Sequence, residues 1–329
     1  MLSYIIRRLL LVIPMALLVI TLTWILIRIA PGSFYSSEKK LPPAVEANIK
    51  KKYGLDKPVW QQYLRVMGNI TCRTKDADET TTNGLQFGVA GTNFKCFDFG
   101  DSLKYEGQSV NEIIRRHFPY SATIGILAYI LALIVGLSAG IIAALKQNSA
   151  TDYGSMSLAM LGLSVPNFVL GPILVLIFSL WLYWLPPARV GGASSYVLPV
   201  ITLAAIYAAY IARLTRAGML EVLRSDYIRT ARAKGLSEWK VLMKHAVRGG
   251  LIPVVSFTGP ALAALLAGTV VIEKVFAIPG LGNIFIQSVF NRDEPLTLGI
   301  VAFLSILIMI FNLLVDISYA FLDPRIRYE

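Results

Sequence analysis

The chain has 329 residues, 55% of them hydrophobic and 16% charged, and its 31 Lys and Arg against 20 Asp and Glu give a formal net charge of +11. That length would accommodate two soluble domains, but the apolar residues fall in long blocks rather than at amphipathic spacing, which is the pattern of a membrane protein. The positive charge is placed against nucleic-acid binding: it flanks the apolar blocks, as cytoplasmic loops of membrane proteins do.

Arg7 and Arg8 precede the first block, Leu9–Ile29. It is too long for the core of a cleavable signal and no small-residue cleavage site follows, so it is expected to stay as a first span. Arg28 stands at its outer end, where it is expected to snorkel to the headgroups. Five further blocks follow, at Ser121–Ala144, Met156–Leu182, Val197–Leu214, Leu251–Val275 and Leu296–Phe321. Each can cross a hydrocarbon core of about 30 Å, which needs roughly 20 residues. The expected fold class is therefore an all-α integral membrane protein with six transmembrane helices. An even count puts both termini on one side, and Arg7, Arg8, Arg325 and Arg327 make that side the cytoplasm.

Three regions result: residues 1–30 with the first span, an extracytoplasmic region at 31–120, and a five-helix core at 121–329. The outer region carries 13 basic and ten acidic residues, and loops of this length escape the positive-inside bias. Pro42-Pro43 opens a helical stretch that Gly54 closes. Asp56 is placed to cap a second helix through Trp60 and Tyr63. Ser109-Val110-Asn111-Glu112 reads as a capping box that starts a third, leading to Pro119 and the second span. The only two cysteines, Cys72 and Cys96, lie in this region. An outward location is oxidising, so a disulfide is the leading reading, with two free thiols as the alternative. It would close a loop of 25 residues and contribute about 3 kcal/mol by constraining the unfolded chain.

Within the spans, Gly136 and Gly140 have the small-xxx-small spacing of close helix contact, with a partner the sequence does not identify. Pro166 and Pro172 interrupt the third block, and Gly259-Pro260 and Gly268 the fifth. Such breaks either line a polar pathway or serve plain helix packing, and the ordinary abundance of Gly and Pro in membrane helices favours packing. Asp316, near the inner end of the last span with Tyr319 three residues on, reads as a structural hydrogen-bonding group rather than a proton relay.

The remaining exposed segment, residues 213–250, carries nine Lys or Arg between Arg213 and Arg248 against three acids. Ser225 and Asp226 signal a helix start, Tyr227 to Lys234 follow without a breaker, and Gly235 supplies the stop. Ser237 caps a second helix, in which Trp239, Leu242, Met243 and Ala246 form an apolar stripe expected to lie against the span ends. The first helix combines small residues, Thr230, Ala231 and Ala233, with the cations Arg229, Arg232 and Lys234. It could anchor to anionic lipid, or dock in the groove of a cytoplasmic protein. A DNA-reading helix-turn-helix is disfavoured, since both ends are tied to spans and Trp239 belongs to the apolar stripe. Charge and pattern leave anchoring and docking about even.

The run Tyr227-Ile228-Arg229-Thr230-Ala231-Arg232-Ala233-Lys234-Gly235-Leu236 resembles the coupling motif of ABC-transporter permeases of the oligopeptide and dipeptide uptake family. Against the general permease motif, only Ala231 and Gly235 match; Arg229 and Thr230 depart from it in the manner of the peptide permeases. Arg7-Arg8, Arg28-Ile29-Ala30-Pro31-Gly32, Phe99-Gly100-Asp101-Ser102, Ile272-Glu273 with Pro279-Gly280-Leu281-Gly282, Asn291-Arg292-Asp293 and Asp323-Pro324-Arg325 extend the likeness over nearly the whole chain. It is closest to B-type subunits, and residues 70–97, with both cysteines, look like an insertion. The resemblance implies a permease in the bacterial inner membrane that forms half of a peptide pathway. It implies as partners a second, C-type permease, two cytoplasmic ABC ATPases and an extracytoplasmic peptide-binding protein. ATP and Mg would sit on the ATPases, with no cofactor on this chain. It places Arg229, Thr230, Ala231, Arg232, Ala233, Lys234, Gly235 and Leu236 in the coupling helix, with Ala231 and Gly235 permitting close approach.

No phosphate-binding G-x-x-x-x-G-K-[ST] loop and no hydrolase or metal motif occurs, so a non-catalytic subunit is expected. The alternative, a secondary transporter for a small polar solute, calls for midplane ionisable groups or inverted repeats, and neither is evident.

Overall fold

The computed structural model describes residues 2–29, 56–74, 85–89, 92–187, 191–266 and 270–322. Among the described residues, three helices are long and apolar enough to cross a membrane: Val110–Leu145, Ala193–Leu223 with its leading turn, and Glu294–Val315. Two bent pairs raise the number to five if each pair is one span. The first span's described apolar part is Ile13–Ile29, within α1 (Leu2–Ile29). Ile134, Leu158, Leu161 and Phe290 are more than half exposed on helix surfaces, an apolar outer face that suits hydrocarbon rather than water.

The chain divides into two compact units. One comprises Arg7–Pro119 and Asn283–Leu307. Here α1 packs on α2 (Val59–Ile70), with Ile20, Met67, Ile70 and Ala302 forming a buried cluster. Arg28, at the outer end of α1, has partners within the protein. Its Nη2 donates to Gln62 Oε1 at 2.5 Å and to Glu294 Oε1 at 3.2 Å, and its guanidinium lies 4.9 Å from the Trp24 ring centre. The N-cap of α2 is Pro58, not Asp56, because proline's fixed φ and missing N–H suit a helix start without a side-chain cap. The helix expected after Pro42-Pro43 lies outside the described residues, as does Gly54.

The described residues of the insertion beyond Thr71 include strands. β1 (Cys72–Thr74), β2 (Leu85–Val89) and β3 (Thr92–Cys96) form an antiparallel sheet in the order β1-β3-β2. The all-α expectation thus holds for the apolar elements and fails here, where Thr, Phe and Val at alternating positions favour strands. The register sets Cys72 directly opposite Cys96. Cys96 is 2% exposed, and no described cysteine is free.

The other unit comprises Met1–Ile6, Tyr120–Gly282 and Ile308–Glu329. The predicted third outer helix and second span are one element, α3 (Val110–Leu145), which passes through Pro119 and whose start, Val110–Pro119, belongs to the first unit. Ser109 Oγ accepts the Glu112 N–H at 3.2 Å, half of the capping box, while Glu112 turns to Arg116 at 3.3 Å. The third block is broken: α4 (Ala150–Ser164) meets α5 (Asn167–Leu174), which continues as a π turn over Val175–Trp181, at 104°. Pro166 drives Val165 into an extended conformation (φ −89°, ψ 115°), and no helix continues through it. α6 (Val197–Leu223) runs beyond the predicted Leu214. α9 (Ile252–Leu266) and α10 (Val270–Val275) follow, then α11 (Leu281–Phe290) and α12 (Glu294–Leu322). Gly268 lies outside the described residues, as do Arg325 and Arg327, and so do the side chains of Arg7, Arg8, Asp316 and Tyr319.

The core of this unit gathers Ile124, Tyr129, Leu198, Leu203, Ile211, Leu265 and Ile272 from α3, α6, α9 and α10, with Phe276 just beyond α10. The small-xxx-small pair finds its partner in α6. A Cβ at Gly136 would stand 2.7 Å from the Ala208 carbonyl oxygen, and one at Gly140 would stand 2.6 Å from that of Ala212. Tyr129 and Thr258 form a local hydroxyl chain, Tyr129 donating to Thr258 Oγ1 at 2.6 Å and Thr258 to Val254 O at 3.0 Å.

Candidate functional site

Residues 213–250 fold as two short helices carried on the end of α6. α7 (Asp226–Ala233) starts after Ser225. Ser225 holds the N-cap position but its hydroxyl turns back to Val222 O at 2.6 Å, ending α6 instead. α7 closes as a Schellman motif: Gly235 N–H donates to Arg232 O at 2.9 Å and Leu236 N–H to Ala231 O at 3.4 Å. That closure requires a left-handed residue at Gly235, which has φ +75°.

α8 comprises Glu238–Lys240, a π turn over Val241–Ala246, and Val247–Gly250. Ser237 stands at its N-cap without a side-chain bond. The π turn splits the expected apolar stripe: Leu242 and Ala246 pack against the span ends, and Trp239 and Met243 do not. Each π residue advances by less than an α residue, so Ala246 falls out of phase with Trp239. Val241 and Ala246 are fully buried, whereas Trp239 is 69% and Met243 48% exposed. Trp239 therefore does not pack against the span ends.

α7 is held by one face. Ile228 and Ala231, three residues apart, are buried against Met219, Val241, Ala246 and Ala144. Ala231 thus packs into its own chain rather than opening room for a partner. The sequence reading missed Ile228, whose fully buried side chain is the anchor of the helix. The signal was available as an Ile in a run otherwise of small and charged residues. Arg229, Thr230, Arg232, Ala233, Lys234, Gly235 and Leu236 are exposed. Arg229 reaches Asp226 at 3.4 Å, and Thr230 Oγ1 donates to Asp226 O at 2.9 Å. Arg232 chelates Glu238 at 2.9 and 3.3 Å, tying the end of α7 to the start of α8. Exposed pairs of this kind contribute about 0–1 kcal/mol, so they set geometry more than stability. The result is a rigid, solvent-facing helix of small and cationic residues.

Its footing on α6 is equally tight. A Cβ at Gly218 would fall on the Gly250 carbonyl oxygen and 3.3 Å from Pro253 Cγ, so the two backbones touch where α8 crosses α6. Further up α6, Arg216 donates Nε and Nη2 to the Asp152 carboxylate at 2.6 and 2.7 Å.

Two other resembling stretches build buried polar knots, each within one unit. Asp293, fully buried, caps α12 by accepting the Leu296 N–H at 3.2 Å; it also accepts the N–H groups of Leu103 and Lys104, each at 3.1 Å, and the Ser102 hydroxyl. The Asn291-Arg292-Asp293 and Phe99-Gly100-Asp101-Ser102 stretches are thereby brought together. Glu273, 1% exposed, accepts from Ser121 Oγ at 2.7 Å, and Ser121 Oγ accepts the Leu281 N–H at 2.8 Å. Among the described residues no cluster of His, Cys, Asp and Glu could hold a metal ion.

Comparison with known proteins gives a consistent picture. The family described as binding-protein-dependent transport system inner membrane component matches residues 136–328, and the family of its N-terminal component matches residues 1–125. The oligopeptide transport system permease protein OppB of Haemophilus influenzae is 43% identical over the full length of both chains, and that of Escherichia coli is 42% identical over the full length of both. The dipeptide transport system permease protein DppB of Bacillus subtilis is 41% identical over 99% of this chain and 98% of its own. Among solved structures, a chain of the inward-facing MetNI methionine ABC transporter shares the fold with TM-score 0.54 and 17% identity, over 64% of this chain and 96% of that one.

Proposed function

The chain belongs to the family of binding-protein-dependent transport system inner membrane components, and from that premise we propose that it is a permease subunit of an ATP-driven peptide importer whose α7 takes up the motion of a cytoplasmic ATPase. The observation that carries the coupling reading is the division of α7 into two faces. Ile228 and Ala231 root it in the protein, and Arg229, Arg232, Ala233 and Lys234 are left to a partner. A helix rooted this firmly moves as a body with α6 and α8, so a push on its outer face reaches the spans. Full-length likeness to oligopeptide and dipeptide permeases supports peptides as the cargo and disfavours a stand-alone secondary transporter.

The chain crosses the membrane six times with both termini and residues 213–250 in the cytoplasm. It pairs with a second, C-type permease, and each pair works with two ATPases and an extracytoplasmic peptide-binding protein. ATP and Mg belong to the ATPases, and this chain is non-catalytic. Cys72 and Cys96 form a disulfide on the outer side; their direct cross-strand register and the burial of Cys96 support it. Arg229→Glu tests the coupling reading. Membrane insertion is expected to persist while ATPase co-purification and peptide uptake are lost, and normal uptake would overturn it.

A further inference from the structure

Asp152 is a carboxylate that the coupling helix does not touch, yet three elements converge on it. It sits in the first turn of α4 with a side-chain exposure of 2%. Its Oδ1 accepts Arg216 Nε at 2.6 Å, and its Oδ2 accepts Arg216 Nη2 at 2.7 Å and the Asn148 N–H at 2.9 Å. Asn148 belongs to the turn that ends α3 and adopts φ +61°. A second arginine, Arg224 at the C-cap of α6, holds the same turn by donating to Gln147 Oε1 at 3.2 Å. α6 therefore grips the α3–α4 turn at two points, and Arg216 lies about 10 Å from its end at Leu223, where the coupling segment begins. Farther along, α4 lies against α6 at Gly162, where a Cβ would stand 3.2 Å from the Ala205 carbonyl oxygen.

Stability does not account for such a pair. Replacing a buried ion pair by apolar side chains of similar volume is commonly neutral or stabilising. What the guanidinium fork adds is direction, since two parallel bonds fix both the distance and the plane of the carboxylate. We infer that Asp152 and Arg216 are positioning residues that carry displacement of α6 into α4, the first half of the span broken at Pro166. The 104° break lets α4 follow α6 by rotating at Pro166, so a link of fixed geometry carries a push below the membrane into the broken span. This rests on the reading of α7 as the ATPase-coupling helix.

The test uses the assembled transporter, with both permeases, the ATPases and the binding protein, reconstituted in vesicles. Peptide imported and ATP hydrolysed are measured together. Asp152→Asn removes the charge at constant shape, and Arg216→Lys keeps the charge but loses the fork. Both variants are expected to bind the ATPases at wild-type levels and to hydrolyse ATP, while peptide delivered per ATP falls about tenfold. The paired replacement Asp152→Leu with Arg216→Met is expected to fold and remain equally uncoupled, which decides the matter even if the single variants misfold. An unchanged ratio in the single variants, or a full ratio in the apolar pair, would overturn the inference. Failure of the coupling reading itself would look different: the wild-type ATPases would make no contact with α7.

Discussion

Replacing Gly218 by alanine adds one methyl group at the crossing of α6 and α8. The added carbon would land on the Gly250 carbonyl oxygen, 3.2 Å from that carbonyl's carbon and 3.3 Å from Pro253 Cγ. Overpacking of this kind costs about 1–3 kcal/mol. The obstacle here is backbone, which retreats only if a whole helix moves, so the upper end applies. Alanine recovers about 1 kcal/mol of helix propensity over glycine. The net loss is about 2 kcal/mol, a factor of roughly 30 in the ratio of folded to unfolded protein. Gly154→Ala supplies the internal control: it is also mid-helix, nothing lies within 4 Å of the added carbon, and only the propensity gain remains. Thermal unfolding of the purified subunit in detergent should therefore separate the two variants in opposite directions from wild type. Because the crossing sets where α7 is presented, Gly218→Ala should also impair uptake in vesicles. A Gly218→Ala protein as stable as wild type, or a Gly154→Ala protein equally damaged, would refute the close-approach argument.

Other consequences are as direct. Gly235→Val places a β-branched residue at φ +75° with open space around it, so it should disrupt the Schellman closure and abolish uptake while membrane insertion, followed by fractionation, stays normal. Asp293→Ala orphans the Leu103, Lys104 and Leu296 N–H groups and should cost about 3 kcal/mol, read as a lower unfolding temperature with little change in ATPase binding. Mass spectrometry of unreduced peptides should find Cys72 and Cys96 linked, and free thiols in the mature protein would contradict the disulfide.

The membrane class and the positions of the apolar blocks were legible in sequence because hydropathy over some 20 residues is a strong, local signal. The end of α7 was legible for the same reason, since Gly235 needs no distant partner to stop a helix. What escaped was set by tertiary contact. Trp239 and Ala246 share an α-helical face on paper, and only the π turn separates them. Arg28 finds Gln62 on α2 and Glu294 at the start of α12, partners no local pattern announces. Asp152 and Arg216 are 64 residues apart, and no periodicity links them. The strands of the insertion were missed because short polar segments carry little hydropathy signal, although Cys72 and Cys96 are the residues their register aligns.

Site-specific cross-linking from Arg229→Cys, with all other cysteines of the complex replaced, tests the role of α7 most directly. In an actively transporting complex the introduced thiol should capture the ATPase subunit, with a yield that changes between ATP-bound and ATP-free states. An active complex in which that position never captures the ATPase in either state would contradict the coupling function of α7.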